Sequence, residues 1–145
     1  MDLTFESRIA WQNTGREGEG TAKLGGQELQ FSAPYSMGGK GTGTSPEELL
    51  LTAVGSCYSG TLFALLMKEH LRVTSVDVQV TGKVTEYPIQ AKFSQLVVNP
   101  TIVGADSSQV SLYEEAANKA REKCFIGKTI AGNVEYLVGT VTVEA

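Results

Sequence analysis

The sequence predicts an α+β fold: one domain over residues 1–145, with an antiparallel sheet wrapped around a long, buried central helix. Two observations carry that expectation. From Leu49 to Met67 no residue is charged, and apolar side chains fall on more than one face, the signature of a helix covered on nearly all sides. On both flanks of this run, apolar and polar residues alternate with the period of half-buried strands. A chain of 145 residues is long enough to bury a core as a single domain.

In chain order, Leu3, Phe5, Ile9 and Trp11 share one parity and mark a first strand. Asn13 to Gly20 is turn-rich. Thr21 to Leu24 and Gln27 to Phe31 flank Gly25-Gly26, a two-residue hairpin signal, so the first third reads as a small antiparallel meander. Ala33 to Thr44 is expected to be a flexible loop. Ser45 then serves as helix N-cap, Pro46 takes the first helical position, and Glu47 and Glu48 lie where the helix dipole favours anions. Along the helix, Leu50, Val54, Cys57, Thr61 and Leu65 make one face, and Leu51, Tyr58, Leu62 and Leu66 another. Val76, Val78 and Val80 alternate in a strand that Glu86-Tyr87-Pro88 ends. Phe93 to Val98 forms the next strand, interrupted by Asn99-Pro100. Ala105 to Lys123 reads as a second helix, capped by Asp106 or Ser107, with Val110, Tyr113, Ala117, Ala120 and then Cys124 on its apolar stripe. Val134, Tyr136, Val138, Val141 and Val143 supply a last strand. A five- or six-stranded sheet covers one side of the central helix, and a second subunit is the natural cover for the other.

Composition excludes several classes. A net charge of −4 does not fit the clustered basic surface that nucleic-acid binding needs. One histidine and two cysteines are too few for a zinc site within one chain, so no metal and no cofactor is expected. The two widely spaced cysteines do not make a secreted disulfide scaffold, and no targeting or lipidation motif is visible, so a cytoplasmic protein is expected. The uncharged run has the length of a membrane span. Thr52, Gly55, Ser56, Ser59, Gly60 and Thr61 make it only modestly apolar, however, and it starts too far into the chain for a secretory signal. A core helix without membrane contact is the preferred reading. Gly38 to Ser45 invites a phosphate-loop reading, but Lys40 is followed by Gly41 and no strand leads directly into it. His70 closes the helix as a dipole partner. Ser56 and Ser59 have no histidine base nearby in the sequence.

Cys57 and Cys124 remain. A buried cysteine is commonly an inert small hydrophobe. Because Cys57 lies mid-helix, a reactive thiolate there needs a nearby cation. Arg16, between a glycine and an acid in Gly15-Arg16-Glu17-Gly18, is a candidate for that cation, or else a solvated turn arginine.

The run Thr44-Ser45-Pro46-Glu47 to Cys57, with Glu47 and Cys57 ten residues apart, the early Gly15-Arg16-Glu17-Gly18, and Cys124 at the end of the second helix together resemble the OsmC/Ohr family of organic hydroperoxide reductases. The strand and helix order matches along nearly the whole chain. The resemblance implies an OsmC-like fold, an intertwined homodimer with sites at the subunit interface, and a thiol-dependent peroxidase. Cys57 would be the peroxidatic cysteine, oxidised to a sulfenic acid by an organic hydroperoxide. Cys124 would resolve it to a disulfide, which a dithiol, typically a lipoylated protein in the family, would reduce. Arg16 would stabilise the thiolate, and Glu47 would hold Arg16 in a bidentate pair. Glu47 lies about 15 Å from Cys57 along a regular helix at 1.5 Å per residue, so either Arg16 bridges that gap or Glu47 and Arg16 reach a cysteine of another chain. The expected substrate walls are Leu51, Tyr58, Leu62, Phe125 and Ile126, apolar enough to favour bulky peroxides. The chain departs from the family pattern at Cys124-Phe125-Ile126-Gly127, where Pro, an aliphatic residue and Ser often follow the cysteine, and at Tyr58, where Phe is usual. The rival reading is a non-catalytic dimer of this fold that binds a small hydrophobic ligand; the acidity of the Cys57 thiol separates the two.

Overall fold

The computed structural model describes residues 1–145, and the chain divides into two compact units, Met1–Leu50 and Leu51–Ala145. In the first unit, β1 (Arg8–Gln12), β2 (Glu19–Leu24) and β3 (Gln27–Phe31) form an antiparallel meander in that order. Gly25 and Gly26 both take positive φ, 55° and 79°, as the tight primed turns of hairpins require. The first strand is shorter than the alternation suggested. Its register pairs Arg8 with Lys23, so residues before Arg8 run past the end of β2 at the hairpin turn and have nothing left to pair with. Leu3 and Phe5 are accordingly exposed, and Ile9 and Trp11, although paired with β2, are exposed as well. The glycine-rich segment after β3 was expected to be flexible, yet it is tied down. Ser32 N–H donates to the Thr44 carbonyl at 3.0 Å, Thr44 N–H to the Gln30 carbonyl at 3.0 Å, and Lys40 pairs with Glu19.

Helix α1 (Pro46–Lys68) starts where its caps predict. The Ser45 hydroxyl oxygen accepts the Glu48 N–H at 3.2 Å and contacts the Glu48 carboxylate at 3.0 Å, a capping arrangement that satisfies an otherwise orphaned amide. The helix is not covered all round. Val54, Tyr58, Leu62, Leu65 and Leu66 are buried, whereas Thr52, Ala53, Ser56, Gly60, Ala64 and Met67 are exposed. By length and composition α1 could cross a membrane, with a third (33%) of its most apolar stretch buried in the chain.

The second unit holds β4 (Ser75–Thr85), β5 (Lys92–Val103), α2 (Val110–Lys123), α3 (Phe125–Ile130), β6 (Glu135–Val138) and β7 (Thr142–Glu144). β4 and β5 pair antiparallel, but β6 and β7 run parallel to β5, one after the other along its other edge. The expectation of an antiparallel sheet therefore fails at these two strands. The helices between β5 and β6 form a crossover, which returns the chain in the direction of β5. β5 also continues through Asn99-Pro100 rather than breaking there. The Val98 carbonyl accepts from Gly139 N–H at 2.8 Å on the β6/β7 edge, and Pro100, two residues on, faces the same edge, where β6 has ended and β7 has not begun. No ladder bond is lost to its missing N–H. The Asn99 side chain accepts the Thr140 N–H at 2.8 Å and holds the crossing segment in place.

One face of α1 and the stripe of α2 pack with this sheet in a continuous core that includes Leu96, Val98 and Ile102. The Tyr58 hydroxyl donates to the Ala117 carbonyl at 2.9 Å and ties α1 to α2. Tyr113 donates to the Arg72 carbonyl at 2.6 Å and accepts the Asp106 N–H at 3.0 Å. Asp106 caps a short 3₁₀ turn, Ser107–Gln109, ahead of α2, so the helix proper starts later than expected and Val110 is exposed.

One-sided burial of α1 sets a clear contrast. Leu62→Ala should cost about 2–5 kcal/mol of unfolding free energy, and Ser56→Ala on the open face less than about 0.5 kcal/mol. Urea unfolding of the two variants checks this; similar costs would contradict the burial pattern.

Candidate active site

The second unit brings the two cysteines together. The stripe of α2 ends at Cys124, which takes an extended conformation (φ −65°, ψ 110°) and is at once the C-cap of α2 and the N-cap of α3. Cys124 N–H still bonds the Ala120 carbonyl at 3.0 Å, and Lys128 N–H begins the next helix on the Cys124 carbonyl at 3.0 Å. The amides of Phe125, Ile126 and Gly127 in between have no helical acceptor, as at any helix start. Two sulfurs serve them. Gly127 N–H reaches Cys124 Sγ at 3.4 Å, and the amides of Ile126 and Phe125 face the sulfur of Cys57 on α1.

The two thiols are driven apart in acidity. For Cys57 the largest influence is burial, which raises its pKa. The Ile126 N–H, the Cys124 side chain, the Thr61 hydroxyl and the Phe125 N–H oppose it and together hold the thiol below its ordinary range. The Thr61 hydroxyl, one turn on, lies 2.8 Å from the Cys57 carbonyl oxygen and shares its one proton between that oxygen and the sulfur. Cys124 is fully buried. Burial pushes its thiol up, and the hydrogen bond with Cys57 pushes it further. Both are free cysteines. The pair is a half-buried sulfur whose thiol is shifted down, backed by a buried one whose thiol is shifted up, and the two are within hydrogen-bonding reach.

The expected substrate walls divide. Phe125 is exposed, and Leu51 and Ile126 are half-buried beside the core. Tyr58 and Leu62 are wholly buried. Their side chains belong to the packing between α1 and α2, and the Tyr58 hydroxyl is spent on Ala117. Tyr58, where the family usually has Phe, therefore turns its hydroxyl inward to the α2 backbone. Gly127 explains part of the departure after Cys124: a β-carbon there would lie 2.3 Å from Cε2 of Tyr136, so no larger residue fits over that ring.

Arg16 and Glu47 lie in the first unit. Arg16 stands on a 3₁₀ turn, Gly15–Glu17. Its Nη1 donates to the carbonyls of Tyr35 at 2.9 Å and Gly39 at 2.7 Å, and the guanidinium lies 3.8 Å from the centroid of the Tyr35 ring. Gly39 is needed there, since a β-carbon would fall 2.1 Å from the Ala33 carbonyl oxygen. The expected bidentate pair with Glu47 is not formed. Arg16 is held by carbonyls and a ring instead, and Glu47 Oε1 is buried without a partner. No three His, Cys, Asp or Glu side chains converge as a metal site would require.

Sequence patterns missed three contributors: the free amides of α3, the Thr61 hydroxyl and the anchoring ring of Tyr35. A cysteine at the end of one helical stripe, followed three residues later by glycine, is the signal for the break that frees the amides. We expect the pH profile of Cys57 alkylation by iodoacetamide to have its midpoint below the ordinary thiol value of about 8.5. Cys124→Ala, which removes a donor to the thiolate, should move that midpoint up. A Cys57 midpoint at or above the ordinary value would contradict the hydrogen-bonding pattern.

Known proteins were compared with this chain. It is 31% identical over 137 residues to the uncharacterised protein YmaD of Bacillus subtilis, covering 92% of this chain and 91% of that one. It is 24% identical over 123 residues to an organic hydroperoxide resistance protein of Xanthomonas axonopodis pv. citri, covering 83% and 84%. A solved structure of an OsmC-like protein of unknown function from Vibrio cholerae superposes with a TM-score of 0.79 at 16% identity, covering 96% of this chain and 99% of that one. Residues 39–137 match the family model described as OsmC-like protein. With cysteines, helices and sheet arranged as above, the chain belongs to the OsmC-like protein family.

Proposed function

We propose that this protein is a cysteine-based peroxidase that reduces organic hydroperoxides to alcohols. The observation that carries this reading is a pair of adjacent thiols whose surroundings push their acidities apart, Cys57 toward the thiolate and Cys124 away from it. The Cys57 thiolate attacks the outer oxygen of the hydroperoxide. An S–O bond forms, the O–O bond breaks, and the alkoxide leaves and takes up a proton as alcohol. Cys57 is left as a sulfenic acid. Cys124 then displaces hydroxide to form the Cys57–Cys124 disulfide, and an external dithiol, such as a protein-bound lipoyl group, restores both thiols by exchange. The name of the Xanthomonas relative agrees with this chemistry.

Each remaining residue has a role on the same reading. Arg16, which no carboxylate neutralises, takes the cationic role that the chemistry of a thiolate and a peroxide calls for. Glu47, with one buried carboxylate oxygen unpartnered, orients the cationic side of the site. Phe125, Ile126 and Leu51 offer apolar surface to the organic part of the peroxide, so bulky alkyl and aryl substrates are favoured over hydrogen peroxide. The open, uncharged face of α1 meets a second copy of the chain in a homodimer, which removes that surface from water. A dithiol-dependent cycle of this kind suits the reducing cytoplasm.

Turnover of cumene hydroperoxide with dihydrolipoamide tests the reading. The wild type should turn over, and faster than with hydrogen peroxide. Cys57→Ser should abolish turnover, and Cys124→Ser should stop at a sulfenic acid that dimedone traps. A wild type whose thiols survive the peroxide intact would overturn the proposal and leave ligand binding as the function of the fold. Light scattering at micromolar concentration should give the mass of a dimer; a monomer would remove the role of the open α1 face.

A further inference from the structure

Three tyrosines are buried in the second unit: Tyr58, Tyr113 and Tyr136. The hydroxyls of the first two are spent on backbone, Tyr58 on the Ala117 carbonyl and Tyr113 on the Arg72 carbonyl. The Tyr136 hydroxyl has no regular hydrogen-bond partner, although the residue is only 6% exposed. Burying an unpaired hydroxyl is unfavourable, and phenylalanine would fill the same place on β6 without that cost. The ring is also firmly held. The first turn of α3 closes over it at Gly127, and its backbone carbonyl accepts from Arg121 Nη1 at 2.9 Å.

What the hydroxyl faces is the sulfur of Cys124. In the resting pair that sulfur accepts the Gly127 N–H and shares its proton with Cys57, so it offers the phenol little. As a thiolate it gains acceptor capacity, and the phenol is the donor in place to use it. We propose that Tyr136 is a positioning residue for the second half of the cycle, donating a hydrogen bond to Cys124 as that sulfur becomes the nucleophile. The inference rests on the two-cysteine peroxidase reading.

The step balances without any further reagent. Cys124 gives up its thiol proton, and a sulfur electron pair forms the S–S bond to Cys57. The S–O bond of the sulfenic acid breaks, and hydroxide leaves with its electron pair and takes up the proton as water. The hydroperoxide has already supplied the oxidising equivalent, and Tyr136 keeps its own proton throughout. That last point agrees with its environment: burial, and then the neighbouring Cys124, push the phenol upward, so it acts only as a donor. Around Cys124 the ionisable or charged groups are Cys57 and Tyr58 on α1, Tyr136 on β6, and Arg121 on α2 through the Tyr136 carbonyl. Lys123 and Lys128, flanking the helix break, are exposed. Tyr136 and the Gly127 N–H favour the Cys124 thiolate against the larger, opposing effects of burial and Cys57.

The test is a single-turnover experiment on wild type and Tyr136→Phe. Each protein is pulsed with cumene hydroperoxide. Sulfenic acid is trapped with dimedone, disulfide is counted by intact mass, and the course is followed across the neutral pH range. Sulfenic acid should form at the wild-type rate in the variant. Disulfide formation should slow about tenfold at pH 7, and its pH profile should move up by about one unit, the equivalent shift. The melting temperature should not fall, because the hydroxyl removed was unpaired. An unchanged resolution profile, equal slowing of both steps, or an unfolded variant would each overturn the role of Tyr136 while the wild type still forms its disulfide. A wild type that forms neither sulfenic acid nor disulfide would overturn the peroxidase reading, and this inference with it.

Discussion

Everything chemical in the second unit depends on the helix break at Cys124. Had α2 continued, the amides of Phe125, Ile126 and Gly127 would be tied to carbonyls one turn back. One extended residue releases all three. Two of them face Cys57 and the third caps on Cys124. The same residue thus frees the donors that favour a thiolate on its partner and buries the sulfur that stands ready beside it. Cys57 is mid-helix and gains nothing from its own helix start; the donors come from another helix.

The scaffold holds this geometry through packing of buried rings. Tyr58, the residue after Cys57, turns into the core and binds the α2 backbone, which sets the spacing of α1 against α2. The first turn of α3 is seated on the Tyr136 ring, and only glycine at 127 allows that approach. Protein interiors are close-packed and seldom tolerate a cavity or a clash, so sulfur and amides are kept in register by side chains buried in the core.

The first unit carries a cation prepared in a different way. Arg16 is held by two carbonyls and the Tyr35 ring rather than by a carboxylate. Its charge is oriented but not neutralised. The ordered segment around Gly39 does this positioning, which is why a glycine-rich stretch that reads as a mobile loop is instead pinned to β2 and β3.

Local signals in the chain were reliable where adjacent residues settle the matter. Ser45-Pro46 starts α1, Gly25-Gly26 turns a hairpin, and the valines of β4 alternate, because caps, turns and strand parity are decided within a few residues. The family resemblance singled out Cys57, Cys124, Arg16 and Glu47; of these the structure pairs the two cysteines, while Arg16 and Glu47 do not bond each other. Decisions that need distant segments to meet were not legible. Whether Pro100 ends a strand depends on what lies along the far edge of β5. The direction of β6 and β7 depends on the crossover before them. Tyr58 and Leu62 share the helix that carries Cys57, yet only packing against α2 turns them inward. The sequence by itself determined the α+β class, the central helix and the candidate site residues. Only the tertiary structure decided that the amides of α3 meet the Cys57 sulfur, that Arg16 is held without Glu47, and that one face of α1 stays open. Each of these is a contact between parts of the chain far apart in sequence, and no local pattern encodes such contacts.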